Sequence, residues 1–354
     1  MQEAWGNVAV RTLPEVLGND RTFAFDNGGT PDGQWLIGDN EPCNLVQNPG
    51  LPSYAVLYNV ATRQMVTMQQ LQSTHNQIIT ASADVDWVVW EEADDPPSFF
   101  DWTMFAYNRH TGQVERLGQA VKDASGQPVH GPFSGPVVDH DHVVWSEALA
   151  PATNAQDVSH DVAQVEDIAT GTVTTLATGA IYATLSWPWA AWAQEGVNGT
   201  GWMQFKNLLT GQTARLNDQP TALALAGTSV AYVDDNTYLS LVSDLTQGTN
   251  NSQSLWTAPA GGYVDLVTMT SRLIGWNEDS AAIVYDRLLH RFVMLPVLYT
   301  QFSASTVSGH LLVWVDGVPA SQQQQDGQVC PGSPGVTLNV VDTSTLPTTI
   351  TGGG

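Results

Sequence analysis

WVVWEEADDPPSFFDWTMFAYNRHTGQVERLG (87–118) contains one unit of a pattern that the rest of the chain repeats. An apolar run ends in an aromatic residue and an acid (WVVWEE), and a loop follows. A second apolar run ends in a turn (MFAYNRHTGQ), and a short last run closes the unit (VERLG). The first run returns as WLIGDN (35–40), HVVWSE (142–147), WAAWAQE (189–195), SVAYVD (229–234), LIGWNE (273–278) and LLVWVD (311–316). Short runs rich in Val, Trp, Tyr, Leu and Ile between turn residues are the signature of strands. From Gly38 to Trp314 they recur about every 46 residues, within the ~40–50 of a four-stranded propeller blade. The pattern predicts an all-β fold, a seven-bladed β-propeller of four-stranded antiparallel blades.

The repeat leaves no room for a second domain, so residues 1–354 read as one propeller. Residues 1–22 are an N-terminal extension or closure strand, and the blades lie near 23–70, 76–118, 132–177, 181–217, 221–257, 263–296 and 302–351. Within blade 2, QIITASA (77–83) is the expected inner strand, and Thr-Gly at 111–112, 170–171 and 210–211 supplies hairpins, where Gly accepts positive φ. The recurrent Trp and Tyr are expected to pack blade against blade. Ring closure has two signals. Cys43 and Cys330, the only cysteines, fall in equivalent loops of blades 1 and 7, which are neighbours in a closed ring, and are expected to form a disulfide. WGNVAVRTL (5–13) resembles the turn and fourth strand of other repeats and competes with LPTTIT (346–351) to complete blade 7.

The pattern of apolar-apolar-Trp-x-Glu, loop, apolar-x-apolar-Tyr-Asn/Asp-x-x-Thr-Gly resembles the TolB-like propeller repeat, named after the periplasmic protein of the Tol system. Residues 87–117 and 142–176 match it best, and 189–216 nearly as well. The resemblance implies the propeller fold and spans several function classes: periplasmic scaffolds, propellers attached to peptidases, and some polysaccharide lyases. The chain departs from the pattern in the turn between first and second strands, which keeps its usual form only as TPDG (30–33). No Gly-x-Ser-x-Gly elbow of a peptidase accompanies it.

Thirty-five acids against eleven Lys and Arg leave a net charge of −24. Such a field repels phosphate backbones and anionic membrane surfaces, so neither nucleic acid nor direct membrane insertion is expected. No run approaches the ~18 apolar residues of a spanning helix. MQEAWGNVAVRTL lacks the basic and apolar regions of a signal peptide. An oxidised cysteine pair nevertheless places the protein outside the cytoplasm: secreted, periplasmic or at the cell surface.

Three groups of residues bear on function. The acids that end the second strands, Glu92, Glu147, Asp234, Glu278 and Asp316, with Asn40 and Gln194-Glu195 in their places in blades 1 and 4, emerge at one end of the blades. Converging carboxylates suit Ca²⁺ or acid–base work on a glycoside; the alternative is a residue that the repeat itself needs as a hydrogen-bond acceptor. The blade-2 loop breaks the repeat most, and Asp94, Asp95, Phe99, Phe100, Asp101 and Trp102 combine acids with aromatics as a sugar or cationic-peptide surface does. Asp139-His140-Asp141-His142 is the densest histidine cluster, with His140 and His142 as metal candidates. No nucleophile triad, CxxC, phosphate loop or HExxH is present. The expected function is therefore a non-catalytic binding or scaffold propeller that needs no cofactor and presents one loop face to a protein or glycan. A lyase or hydrolase with carboxylates or His in a central pocket is the alternative.

Overall fold

Each quoted run forms the second strand of an antiparallel sheet, where it is buried on both faces. Blade 2 shows the plan: Gln77–Ala83, Trp87–Ala93, Trp102–Asn108 and Val114–Gln119 pair in sequence order. The middle two strands are buried almost throughout, and the last is largely exposed. The computed structural model describes all residues except 15, 19–20, 43–49, 75, 94–98, 130–133, 153–158, 196–200, 248–250, 279–280, 297–304, 317–336 and 350–354. Seven such sheets form a seven-bladed β-propeller with four-stranded antiparallel blades. The chain divides into two compact units, Leu71–Trp256 with blades 2 to 5, and Met1–Gln70 with Thr257–Gly354, holding blades 1, 6 and 7.

In the first of these units Trp145 and Trp192 pack blade against blade as expected, Trp145 on Val89 and Met104 of blade 2 and Trp192 on Val144 and Val165 of blade 3. Trp90 stacks instead within its own blade, on Phe105 at 5.4 Å. The turns between first and second strands link successive blades. Asp84 accepts the Asp141 backbone N–H, Asp139 accepts that of Trp187 at 2.7 Å, and Ser186 accepts that of Gly227 at 2.8 Å.

In the other unit, the place that Trp fills in most blades is Gly38. A Cβ there would stand 1.9 Å from the Ala24 carbonyl oxygen and 2.8 Å from the Phe23 ring. Phe23, stacked on Tyr58, fills that space from the first strand instead. Blade 1 also carries a short fifth strand, Val16–Gly18, beside Arg21–Gly29.

Blade 7 is completed by the N-terminal candidate. Arg11–Pro14 pairs antiparallel with Thr337–Asp342, Leu13 opposite Leu338, outside Leu311–Asp316 and Ser305–Ser308. The C-terminal segment is held differently. Arg272 donates to the carbonyls of Leu346 and Pro347 at 3.1 and 2.6 Å. Its guanidinium also pairs with the buried Asp286 at 2.9 Å. Asp286 accepts from the Trp5 indole at 3.0 Å, so one carboxylate in blade 6 ties both ends of the chain. Trp5 and Leu346 share an apolar cluster with Leu273, Val284 and Trp314. Cys43 and Cys330 lie outside the described residues.

Candidate functional site

The recurrent acids follow from strand geometry. Residues i and i+2 share a face of a strand, so the acid two places after each tryptophan lies beside the indole. Trp145 Nε1 donates to Glu147 Oε1 at 3.3 Å, and Trp192 Nε1 to Gln194 Oε1 at 3.1 Å. Glu147 also accepts from the Gln164 amide. Glu278 is buried in the same position of blade 6. Asp234 is half-buried, its pKa raised by burial and by Asp218 and Asp235. The side chain of Asp316 lies outside the described residues. In blade 1, Asn40 accepts from Arg21, whose guanidinium also reaches the Pro52 carbonyl at 2.7 Å.

Blade 2 breaks this hydrogen bond. Trp90 Nε1 and Glu92 Oε1 are both buried with no hydrogen-bond partner among the described residues. Glu92 Oε2 accepts a long bond, 3.4 Å, from the Gln72 backbone N–H, and burial pushes the carboxyl up to about 7 against the hydrogen bonds of Gln72 and Asn76. On the opposite face stands Glu91, which the repeat conceals behind Glu92. It is 4% exposed, and burial pushes its pKa up to about 8, so it is largely protonated at neutral pH. Glu91 lines a narrow recess with Trp102, Met104, Ser134, Trp145 and Ser146. Sequence reasoning passed over Glu91, although one signal was available: its place is taken by Ala193, Val233 and Val315 in blades 4, 5 and 7.

Of the blade-2 loop, Asp94 and Asp95 lie outside the described residues. Phe99, Phe100 and Trp102 are half-buried. Trp102 packs with Leu117 against the blade-2 and blade-3 core, and Asp101 pairs with Lys122 at 3.0 Å. Glu166, on the third strand of blade 3, is buried with one carboxylate oxygen unpartnered among the described residues, and its pKa is pushed up to about 7 by burial and by Glu115.

The histidine turn is occupied by other work. His140 and Asp141 take φ of 51° and 61°, the two-residue hairpin geometry that needs positive φ at both central positions. His142 stacks on Trp187 at 4.0 Å, its Nδ1 is 2.7 Å from the His140 carbonyl oxygen, and His140 Nδ1 is 2.6 Å from Asp139. Asp141 accepts from the Trp87 indole at 2.7 Å. Among the described residues no three His, Cys, Asp or Glu are placed to hold a metal ion, and no helix is long and apolar enough to cross a membrane.

In blade 1, Asp39 and Glu41 occur two residues apart and hydrogen-bond to each other, with burial raising the Glu41 pKa. That is closer than the ~5–9.5 Å between the carboxyls of glycoside hydrolases, and Asp39 is buried.

No family model and no curated protein sequence matches the chain. Solved structures do. An oligogalacturonate lyase from Vibrio parahaemolyticus is 11% identical with a TM-score of 0.54, and the match covers 97% of this chain and 96% of that one. A prolyl endopeptidase is 8% identical with a TM-score of 0.55 over 86% of this chain. Only 47% of the endopeptidase is covered, so this chain spans about half its length. TolB from Acinetobacter baumannii is 13% identical with a TM-score of 0.44, over 82% of this chain and 76% of that one. At these identities the likeness is one of fold, and it places the chain among the β-propeller proteins.

Proposed function

We propose that the chain is a non-catalytic binding or scaffold propeller, working outside the cytoplasm and presenting the loops that follow its second strands to a protein or glycan partner. One observation carries this reading: Glu147, among the acids most regularly placed to act as catalytic carboxylates, is engaged in holding its blade. Glu147 is bound by Trp145 and Gln164, and Gln194 replaces the acid in blade 4 with the same indole bond intact. An amide that substitutes for a carboxylate keeps a hydrogen bond and loses acid–base chemistry, so the repeat selects the bond. The extracytoplasmic placement rests on the expected Cys43–Cys330 disulfide.

The alternative is a glycan-active propeller, for which the oligogalacturonate lyase neighbour is a fold-level analogy. Asp39 and Glu41 are its best carboxyl pair, and their direct hydrogen bond and burial favour a shared structural proton over catalysis. The test incubates the full chain with oligogalacturonate and other acidic and neutral polysaccharides, following both turnover and binding. Binding without turnover is expected. Turnover abolished by Asp39→Asn or Glu41→Gln would overturn the reading.

A further inference from the structure

Blades 2 and 3 pack face to face, and strand register sets two acids against each other at the outer side of that seam. Residues directly opposite in an antiparallel pair share a face. Glu115, on the last strand of blade 2, is opposite Ala106. Glu166, on the third strand of blade 3, is opposite Val143. Ala106 and Val143 belong to one buried cluster with Val89, Met104 and Trp145, so both carboxylates project into the same seam. Neither makes an ion pair among the described residues. Arg116, next to Glu115, donates to Gln119 at 2.9 Å instead. Glu166 is 7% exposed, and its Oε2 is buried with no hydrogen-bond partner among the described residues. A carboxylate buried without a partner, and facing a like charge, is costly. Neutral oxygens stand beside it. Gln164 shares the Glu166 face two residues away, and its Nε2 donates to Glu147, which leaves the amide oxygen as the ligating atom. Thr175, opposite Gln164, adds a hydroxyl on that face. Glu115, Thr175 and Val173, which lies opposite Glu166, are all exposed, so the seam opens to solvent here.

We propose that Glu115 and Glu166, with the Gln164 amide oxygen and the Thr175 hydroxyl, form a Ca²⁺ site that ties blade 2 to blade 3. The ion supplies the charge that the pair lacks and a partner for Glu166 Oε2. Carboxylate, amide and hydroxyl oxygens are hard donors, and water completes the ~6–8 ligands that Ca²⁺ takes. Donors carried on two different blades suit its loose geometry better than the strict octahedron of Mg²⁺, and the set holds none of the nitrogen or sulfur that Zn²⁺ favours. Two acids with neutral oxygens make a weak site, of the about 0.1–1 mM class found in extracellular modules. Protons compete for it. Burial, with the charges of Glu115 and Asp167, pushes the Glu166 pKa up to about 7, so Ca²⁺ affinity should rise with pH from 6 to 8. The other acids on these two faces are accounted for: Glu147 is bound by Trp145 and Gln164, and Glu91, opposite Met104, is 4% exposed. The inference stands apart from the binding-module reading, since a site of this kind braces the fold whatever the propeller binds.

The experiment treats the full chain with chelator, then titrates it at pH 8 and fixed ionic strength with CaCl₂ and, in parallel, MgCl₂, by calorimetry and thermal scans. Saturable Ca²⁺ binding is expected, with the melting temperature about 2 °C higher at ten times Kd. Mg²⁺ should bind several-fold more weakly, and equal binding would overturn Ca²⁺ as the ion. Glu115→Gln and Glu166→Gln should each weaken Ca²⁺ binding about tenfold or more. Glu115 is exposed, so its variant tests the site even if Glu166→Gln fails to fold. Asp235→Asn, in an exposed turn of blade 5, removes one charge elsewhere and should leave binding unchanged. Stabilisation that both glutamine variants keep, or that Asp235→Asn loses equally, is screening of the net charge and overturns the site. The absence of saturable binding up to about 10 mM, ten times the weak end of that class, overturns it too. Neither failure bears on what the propeller binds.

Discussion

Replacing Asp286 by alanine should lower the melting temperature by about 4–7 °C. The carboxylate is 0% exposed and pairs with Arg272 at 2.9 Å, whose side chain is only 18% exposed. It also accepts from the Trp5 indole at 3.0 Å and from the backbone N–H groups of Leu288 and Leu289 at 3.0 and 3.1 Å. Its removal strands a buried guanidinium and several donors, which costs about 3–5 kcal/mol. Unfolding entropy of about 2.1 cal/mol/K per residue over 354 residues gives roughly 0.7 kcal/mol/K, hence the stated range. Trp5→Phe removes the indole donor and keeps most of the ring, so it should cost about 1.5–3 kcal/mol, or roughly 2–4 °C. Because both changes act on one carboxylate, the double variant should fall short of the sum of the singles. Differential scanning calorimetry in excess reductant is the assay, so that a Cys43–Cys330 bridge does not mask loss of the non-covalent latch. A melting temperature within about 1 °C of wild type for Asp286→Ala, or strict additivity with Trp5→Phe, would refute the view that this carboxylate fastens the chain ends.

The acid–base behaviour of blades 2 and 3 has a definite sign. Glu91, Glu92 and Glu166 have folded pKa values of about 8, 7 and 7 against 4.5, so the folded state binds more protons above pH 4.5. Stability should therefore fall as pH rises from about 5 through 8; thermal scans at constant ionic strength should show Glu91→Gln gaining on wild type across that interval, and an unchanged difference would count against Glu91's burial. A methyl at Gly135 would lie 1.7 Å from Thr80 Cγ2, so Gly135→Ala should destabilise by about 1–3 kcal/mol in denaturant titrations, with Thr80→Ser recovering part of it. Full recovery by an unrelated distant substitution would point elsewhere. Peptide mapping of the air-purified, unreduced protein should find Cys43 joined to Cys330; two free thiols would remove the covalent part of the closure.

The period of the second strands and the turn residues between them are local properties, which is why the blade count and strand order were legible in one sequence. Strand alternation likewise set Trp145 beside Glu147 and Trp192 beside Gln194, two residues apart on one face. The tertiary structure decided what depended on distant partners. Two terminal segments had strand-like patterns, and distant partners tell them apart: Leu13 meets Leu338 in register, whereas Leu346 and Pro347 meet Arg272, 74 and 75 positions away, through their carbonyls. Gly38 interrupts the tryptophan series because a phenylalanine from the first strand already fills its space, a fact of packing that no repeat alignment contains. Glu91 and Glu92 are adjacent acids in the sequence, but the pleat sends them to opposite faces. Only the facing blade makes one of them the floor of a recess with Ser134 and Ser146. Local pattern thus specified the blades, while burial against neighbouring blades decided which polar groups became structural.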